Sequence, residues 1–215
     1  KFEFPYKVIN VEATDDGGFY IISATDGSNV PEGVVSMGED AIVPLIMKYN
    51  SDFELERIDD ILAAGLIVPT AIDETSDGGY AIAGFAANGM AILGEDIMIA
   101  NFSGEEFYEA SSLFVAKYDV EGNCQWADSY ATDGLSIPLE ITEYAEGKYI
   151  LTSEFVGSKI HLGDEEYLYN SNRDSYGNER NCTVIMNFVE KDKEKANIKK
   201  AKQFGGKLSD LTGLM

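Results

Sequence analysis

Histidine is almost absent from this chain: His161 is the only one among 215 residues, and cysteine stops at Cys124 and Cys182. A tetrahedral zinc site or a Ser-His-Asp centre confined to the chain would have one histidine to work with, and nothing around His161 marks it. The two cysteines fall at different points of the repeat described below. They read as free, half-buried thiols, and two cysteines in a chain of this length assign no redox compartment. Long apolar runs are missing as well. The longest lies around residues 61–68, far short of the roughly 20 residues of a membrane-spanning helix. No charged-then-apolar leader follows Lys1, and a signal removed earlier would leave the same picture. Membrane insertion is not expected.

Positive charge is scarce. Sixteen Lys and Arg stand against 38 Asp and Glu, a net charge of −22. Nucleic acid and anionic membrane need clustered cations, so neither is expected as a partner. The balance is compatible with calcium, with a basic partner, or with an acidic surface that serves solubility. Helical signal is weak too. Residues 59–64 are compatible with one turn of helix, and 190–202 read as a charged turn followed by an outer strand whose lysines discourage edge pairing.

What the chain does have is apolar and aromatic content: 45% hydrophobic residues, 12 Tyr and 11 Phe. A chain this long with that content can build a core. The content is organised around a stretch that recurs. Residues 69–85 place alternating runs on either side of Ser76-Asp77-Gly78-Gly79-Tyr80. An aspartate that bonds its own backbone, followed by glycines that accept positive φ, makes a tight turn, and period-2 runs around it make a β-hairpin. The same hairpin appears at 11–23 and at 141–153. Gly17, Gly78 and Gly147 stand 61 and 69 residues apart, and self-similarity of this kind outranks local assignments.

Each unit continues in the same order. The hairpin is followed by a glycine with two acidic residues (Gly38-Glu39-Asp40, Gly94-Glu95-Asp96, Gly163-Asp164-Glu165). Then comes a strand ending in a Lys/Asn-aromatic pair (Lys48-Tyr49, Lys117-Tyr118, Asn187-Phe188), a second turn and a fourth strand. The expected sheets span about 8–61, 69–130 and 138–204. Residues 1–7, with Phe2, Phe4 and Tyr6 in alternation, read as a strand-like lead-in.

A four-stranded antiparallel unit repeated head to tail is the plan of a β-propeller blade. The wording of unit two, Thr75-Ser76-Asp77-Gly78-Gly79-Tyr80, then Phe114-Val115-Ala116-Lys117-Tyr118-Asp119, then Gly122-Asn123-Cys124-Gln125-Trp126, resembles the β-propeller repeats of large bacterial surface and secreted proteins. Unit three departs from it with Glu146-Gly147-Lys148 and no tryptophan, and unit one lacks the Gly-Asn-x-x-Trp part. The resemblance implies an all-β fold of three four-stranded propeller-type units forming part of a ring. Within a single domain over 1–215 the units cover about 8–65, 66–134 and 135–206, and 207–215 start a next one. It also implies a bacterial, extracellular or cell-surface location.

Three units are fewer than a closed propeller uses, and each end unit would leave an apolar face uncovered. Further units or other copies of the chain are therefore expected to complete the ring. The long connections at 24–42, 86–112 and 156–182 all join a second strand to a third, so they gather on one face with Phe102, Phe107, Tyr108, Tyr167, Tyr169 and Tyr176. Loops on a rigid scaffold carry function, and the expected function is non-enzymatic binding of a protein or glycan through that face. The alternatives are a glycan-acting enzyme with carboxylates at the propeller mouth and a structural spacer. No catalytic, cofactor-binding or metal-ligating residue is assigned. The acidic pairs have oxygens that calcium would accept, but each follows a glycine and reads as a turn. Trp126 has the shape to stack a sugar, and its strand position assigns it to packing between units, on one strand face with Tyr130.

Overall fold

The computed structural model describes residues 5–93, 97–101, 111–163, 166–191 and 195–204. Within them every strand pairing is antiparallel and there is no helix. The first sheet is a meander of β1 (Lys7–Ala13), β2 (Phe19–Asp26), β3 (Ile42–Tyr49) and β4 (Leu55–Asp60) in chain order. The second comprises β5 (Leu62–Glu74), β6 (Tyr80–Ile92), β7 (Met98–Asn101), β8 (Ser112–Tyr118) and β9 (Cys124–Ala131). Its order is β5-β6-β8-β9, and β7 pairs with the far half of β6. In the third, β10 (Leu135–Ala145), β11 (Lys148–Val156), β14 (Cys182–Lys191) and β15 (Lys195–Phe204) lie side by side, while β12 (Lys159–Gly163) and β13 (Glu166–Tyr169) form a separate ribbon.

Residues 59–64 are not helical. They run from β4 into β5, which begins seven residues ahead of Pro69, and Leu62, Ala63 and Ala64 pair with Ile92, Ala91 and Met90. Ile61 and Ala63 are buried, so a period of two, not 3.6, meets the core. Residues 1–4, 94–96, 102–110, 164–165, 192–194 and 205–215 lie outside the described residues. With them go Phe2, Phe4, Phe102, Phe107, Tyr108, the pairs Glu95-Asp96 and Asp164-Glu165, and the expected start of a fourth unit.

The repeat extends to its irregularities. A residue is bulged out of the first strand at Ile9, Thr70 and Leu139, and out of the fourth at Glu56, Gln125 and Lys199. Bulges bend and twist a strand locally, so three sheets with bulges at matching positions share one curvature. Opposite the turn, Phe19 faces Tyr49, Tyr80 faces Tyr118 and Tyr149 faces Phe188 in register.

The Asp-Gly-Gly turn and the distant lysine are one device. Asp77 Oδ1 accepts from the Thr75 hydroxyl (2.7 Å) and the Gly79 N–H (3.1 Å). Lys117 Nζ lies 2.9 Å from the same carboxylate and donates to Tyr118 O at 2.7 Å. Unit one repeats this with Asp16, Thr14, Gly18 and Lys48. Lys117 and Lys48 are both buried, and a buried ammonium needs such a counter-ion. Unit three has Glu146 and Asn187 at these places, and Asn187 bonds the Tyr144 hydroxyl instead at 2.9 Å. Burial works to raise the Asp77 carboxyl, but the bond from Lys117, then those from Thr75 and Gly79, outweigh it and hold the carboxyl below its ordinary value.

Both faces of the middle sheet are apolar, so it is packed on both sides. Tyr80, Ile82, Phe114 and Tyr118 meet Tyr20, Ile22 and Ile46 of the first sheet. Ala81, Ala83, Leu113, Val115, Trp126 and Tyr130 meet Tyr149, Leu151, Phe155 and Phe188 of the third. Trp126 and Tyr130 do share a face, and both pack between units: Trp126 sets its edge on Tyr149 at 5.9 Å and Tyr130 lies against Phe188 at 5.7 Å. Arg57, at the matching place on β4, lies over Tyr80 at 5.9 Å.

The two end faces differ from expectation. On the first sheet the face turned away from the second holds Ile21, Val43, Leu45, Met47 and Tyr49, and these are buried under Tyr6, Val30 and Val34. On the third sheet Thr183, Thr152 and Lys200 replace the Leu113, Ala83 and Trp126 of the second, and its outward Ile150 is 37% exposed. One end face is therefore covered from within the chain, and the other mixes polar and apolar side chains.

The lysine clamp is asymmetric. Asp77→Ala leaves the Lys117 ammonium buried without its counter-ion, and the expected loss is on the order of 3 kcal/mol. Lys117→Met leaves a carboxylate that water already reaches, and the expected loss is about 1 kcal/mol or less. Urea denaturation of the two variants measures the difference, and equal losses would refute it.

Candidate functional site

The long connections gather at one end because the units are tied in register at the other. Glu74 Oε2 accepts from the backbone N–H of Asp15 at 2.6 Å, and Glu143 Oε2 from that of Ser76 at 2.6 Å. Each glutamate stands four residues before its own turn glycine, and each reaches the turn of the preceding unit. A carboxylate on a backbone N–H is a charge-assisted bond, and two of them set three turn ends side by side. Asn10 Nδ2 to Thr70 O (2.9 Å) and Thr70 Oγ1 to Pro138 O (2.7 Å) join the first strands in the same sense. Antiparallel strands then carry the described parts of the connections, 27–41, 97–101, 157–163 and 166–181, to the opposite end.

At that end unit one presents a loop whose Glu39 and Asp40 lie in a turn closed by Ala41 N–H to Gly38 O at 3.1 Å. Asp26 starts the same loop by accepting from the Ser28 N–H at 3.0 Å and from Asn29 Nδ2. Between this loop and β5 a cleft opens, lined by Tyr6, Thr25, Asp26, Asn29, Leu66 and Val68.

Unit three presents the β12–β13 ribbon. Its inward side chains Ile160, Leu162 and Leu168 pack on the core. Outward, register pairs Lys159 with Tyr169 and His161 with Tyr167. The His161 ring stacks on Tyr167 at 4.8 Å, Lys159 Nζ sits 4.9 Å from the Tyr167 centroid, and Tyr169 lies 6.0 Å from Tyr167. Tyr169 is 63% exposed, and Tyr176, at the tip of the Asp174–Asn178 turn, is 88% exposed. Tyr167 and Tyr169 thus come together on one strip, and Tyr176 stands apart on its turn. The ribbon is braced against unit two by Asp133, whose Oδ1 accepts from the N–H groups of Ser158 and Lys159 at 2.8 and 2.9 Å.

A second set of groups escaped the motif reading. The first strands of all three units converge on one cleft that holds Glu12, Asp73 and Glu140. Burial, then the nearby charges of Asp73, Glu140 and Glu74, raises the Glu12 carboxyl above its usual value. Asp73 is raised by burial and by Glu143, Glu140 and Glu74, although it accepts from the Glu143 N–H. The sequence did contain a signal, since Glu12 and Asp73 stand at one repeat position, five residues before the turn glycine. At the turn end, between the second and third sheets, lies a further acidic cleft with Asp77, Asp119, Glu143 and Glu190 on its walls.

Among the described residues no group of three or more His, Cys, Asp or Glu is placed to hold a metal ion. Neither cysteine is in a disulfide. Burial pushes the Cys124 thiol up to about 12 and the Cys182 thiol up to about 11, so both stay protonated at neutral pH.

No family model matches the chain, and no curated protein matches it.

A raised carboxyl favours the folded state below its unfolded value of 4.5, and that favour is lost as pH rises through the folded value. Glu12→Gln is therefore expected to raise the melting temperature at pH 7, with the gain vanishing below about pH 4. Thermal melts of wild type and variant across pH 3–8 check this, and a variant less stable than wild type at pH 7 would contradict it.

Proposed function

We propose that the three sheets are consecutive propeller-type units of a non-enzymatic module from a bacterial surface or secreted protein. The module binds a protein or glycan ligand at the end that carries the long connections. The observation that carries the reading is the register of the units. Two glutamate-to-backbone bonds align the short turns, which supports a common opposite end for the described parts of the long connections. Convergence of β1, β5 and β10 on one cleft supports a radial, blade-like arrangement rather than a flat stack, because first strands two units apart meet only around a common axis. The bacterial and extracellular assignment rests on the repeat wording of 75–126. At the binding end, Tyr167 and Tyr169 supply aromatic faces, which bring large contact area at little loss of side-chain freedom.

Glycan and peptide arrays probed with the whole chain test the reading. Retention of one ligand class is expected, with Tyr167→Ala/Tyr169→Ala weakening it at least about tenfold, the loss of one or two aromatic hot spots. The melting temperature should not change, since both rings are exposed. Undiminished binding by the double variant would move the site away from the ribbon. Failure of every array feature to bind would favour a spacer.

A further inference from the structure

We infer that the segment 27–41 is a built-in cap: it stands in for a neighbouring unit and closes the outer flank of the first sheet to other units and other copies of the chain. This goes beyond the binding reading and rests only on the packing of the three sheets.

In the second and third sheets, the face carrying Tyr80 or Tyr149 is covered by the preceding sheet. The matching face of the first sheet carries Phe19, Ile21, Leu45, Met47 and Tyr49. Val30 and Val34 of the segment 27–41, together with Tyr6, pack on that face, and Leu45 and Met47 are 0% and 1% exposed.

Two other positions agree, and both lie where units meet. The turn between third and fourth strands closes identically in units one and two: Phe53 N–H bonds Asn50 O, and Gly122 N–H bonds Asp119 O. Both residues take the left-handed conformation, with φ of 63° and 86°. At Gly122 a Cβ would come within 2.3 Å of the Asp59 carboxylate of the preceding unit, so a side chain there would have to displace Asp59. The same place in unit one holds Phe53, in a conformation that β-carbon sterics disfavour, with its ring 5.2 Å from that of Phe19. Phe53 occupies the space that the fourth strand of a preceding unit would need. The glutamate that ties each unit to the one before it, Glu74 or Glu143, is matched in unit one by Ala13. Cover, spacing and tether all show a flank finished by the chain itself.

Met47 reports the cap directly, because methionine under it is shielded from peroxide, and Met186 in the third sheet, at 0% exposure, is the control. Peptide mass spectrometry after a hydrogen peroxide pulse on the whole chain reads both. Val30→Ser/Val34→Ser is expected to raise the Met47 oxidation rate at least about tenfold and leave Met186 unchanged, while sedimentation shows the variant, and not the wild type, associating as concentration rises. Three results would overturn the cap. Met47 staying as protected as in wild type would place its cover elsewhere. Equal acceleration at Met47 and Met186 would make the segment part of a common core. Crosslinks between wild-type copies at Phe53 or Val34 would show an open flank.

Discussion

A β-sheet that is apolar on both faces has to be covered on both, and this constraint organises the molecule. Strand β8 is buried at all seven of its positions, Ser112–Tyr118, which leaves no side for water. The middle sheet meets the demand with a neighbour on each side. At about 25 cal/mol per Å² of apolar surface removed from water, side chains the size of Phe114, Trp126 and Tyr149 make these two interfaces the principal favourable term. The same burial creates a cost, because Lys117 lies in that strand. Its ammonium is carried to the strand end, where Asp77 and Tyr118 O receive it. The turn aspartate therefore does two things at once: it shapes the Asp-Gly-Gly turn, and it neutralises a lysine forty residues away.

Polar groups then decide how the covered sheets are aligned. Apolar faces slide past one another at little cost, whereas a carboxylate bonded to one particular N–H does not. Glu74 and Glu143 supply that selectivity between units, and the matching bulges keep the curvature of neighbouring sheets alike. With the turn ends locked, the opposite end is where long connections enter without disturbing the packing. There they take different forms in each unit: a cap in unit one, a strand added to β6 in unit two, and a separate two-stranded ribbon packed on the core in unit three. Sheets with matching turns and bulges thus carry unlike connections.

Much of this was legible in the residues alone. Asp-Gly-Gly between alternating runs can only be a tight hairpin, since glycine supplies positive φ and period 2 sets the faces. Three such hairpins in fixed order, each with a Lys/Asn-aromatic strand end, specify an all-β chain of antiparallel sheets. The assignment of Trp126 to inter-unit packing follows from its strand position. The helical reading of residues 59–64 failed because a six-residue stretch with four apolar residues carries too few periods to separate 3.6 from 2, and residues 62–64 pair with Met90–Ile92.

Local chemistry, then, determined the turns, the alternation and the repeat, because each depends on residues within a few positions of one another. Tertiary structure alone decided what lies across the chain from what. The link from Lys117 to Asp77, the reach of Glu143 to the Ser76 N–H, the meeting of Glu12 with Glu140 and the cover of Val30 and Val34 over Met47 all join residues far apart in sequence. In each case apolar packing holds the backbone that carries these groups in place. Which polar or small side chain then met its partner depended on the register of that packing, and period and composition do not encode register between separate sheets.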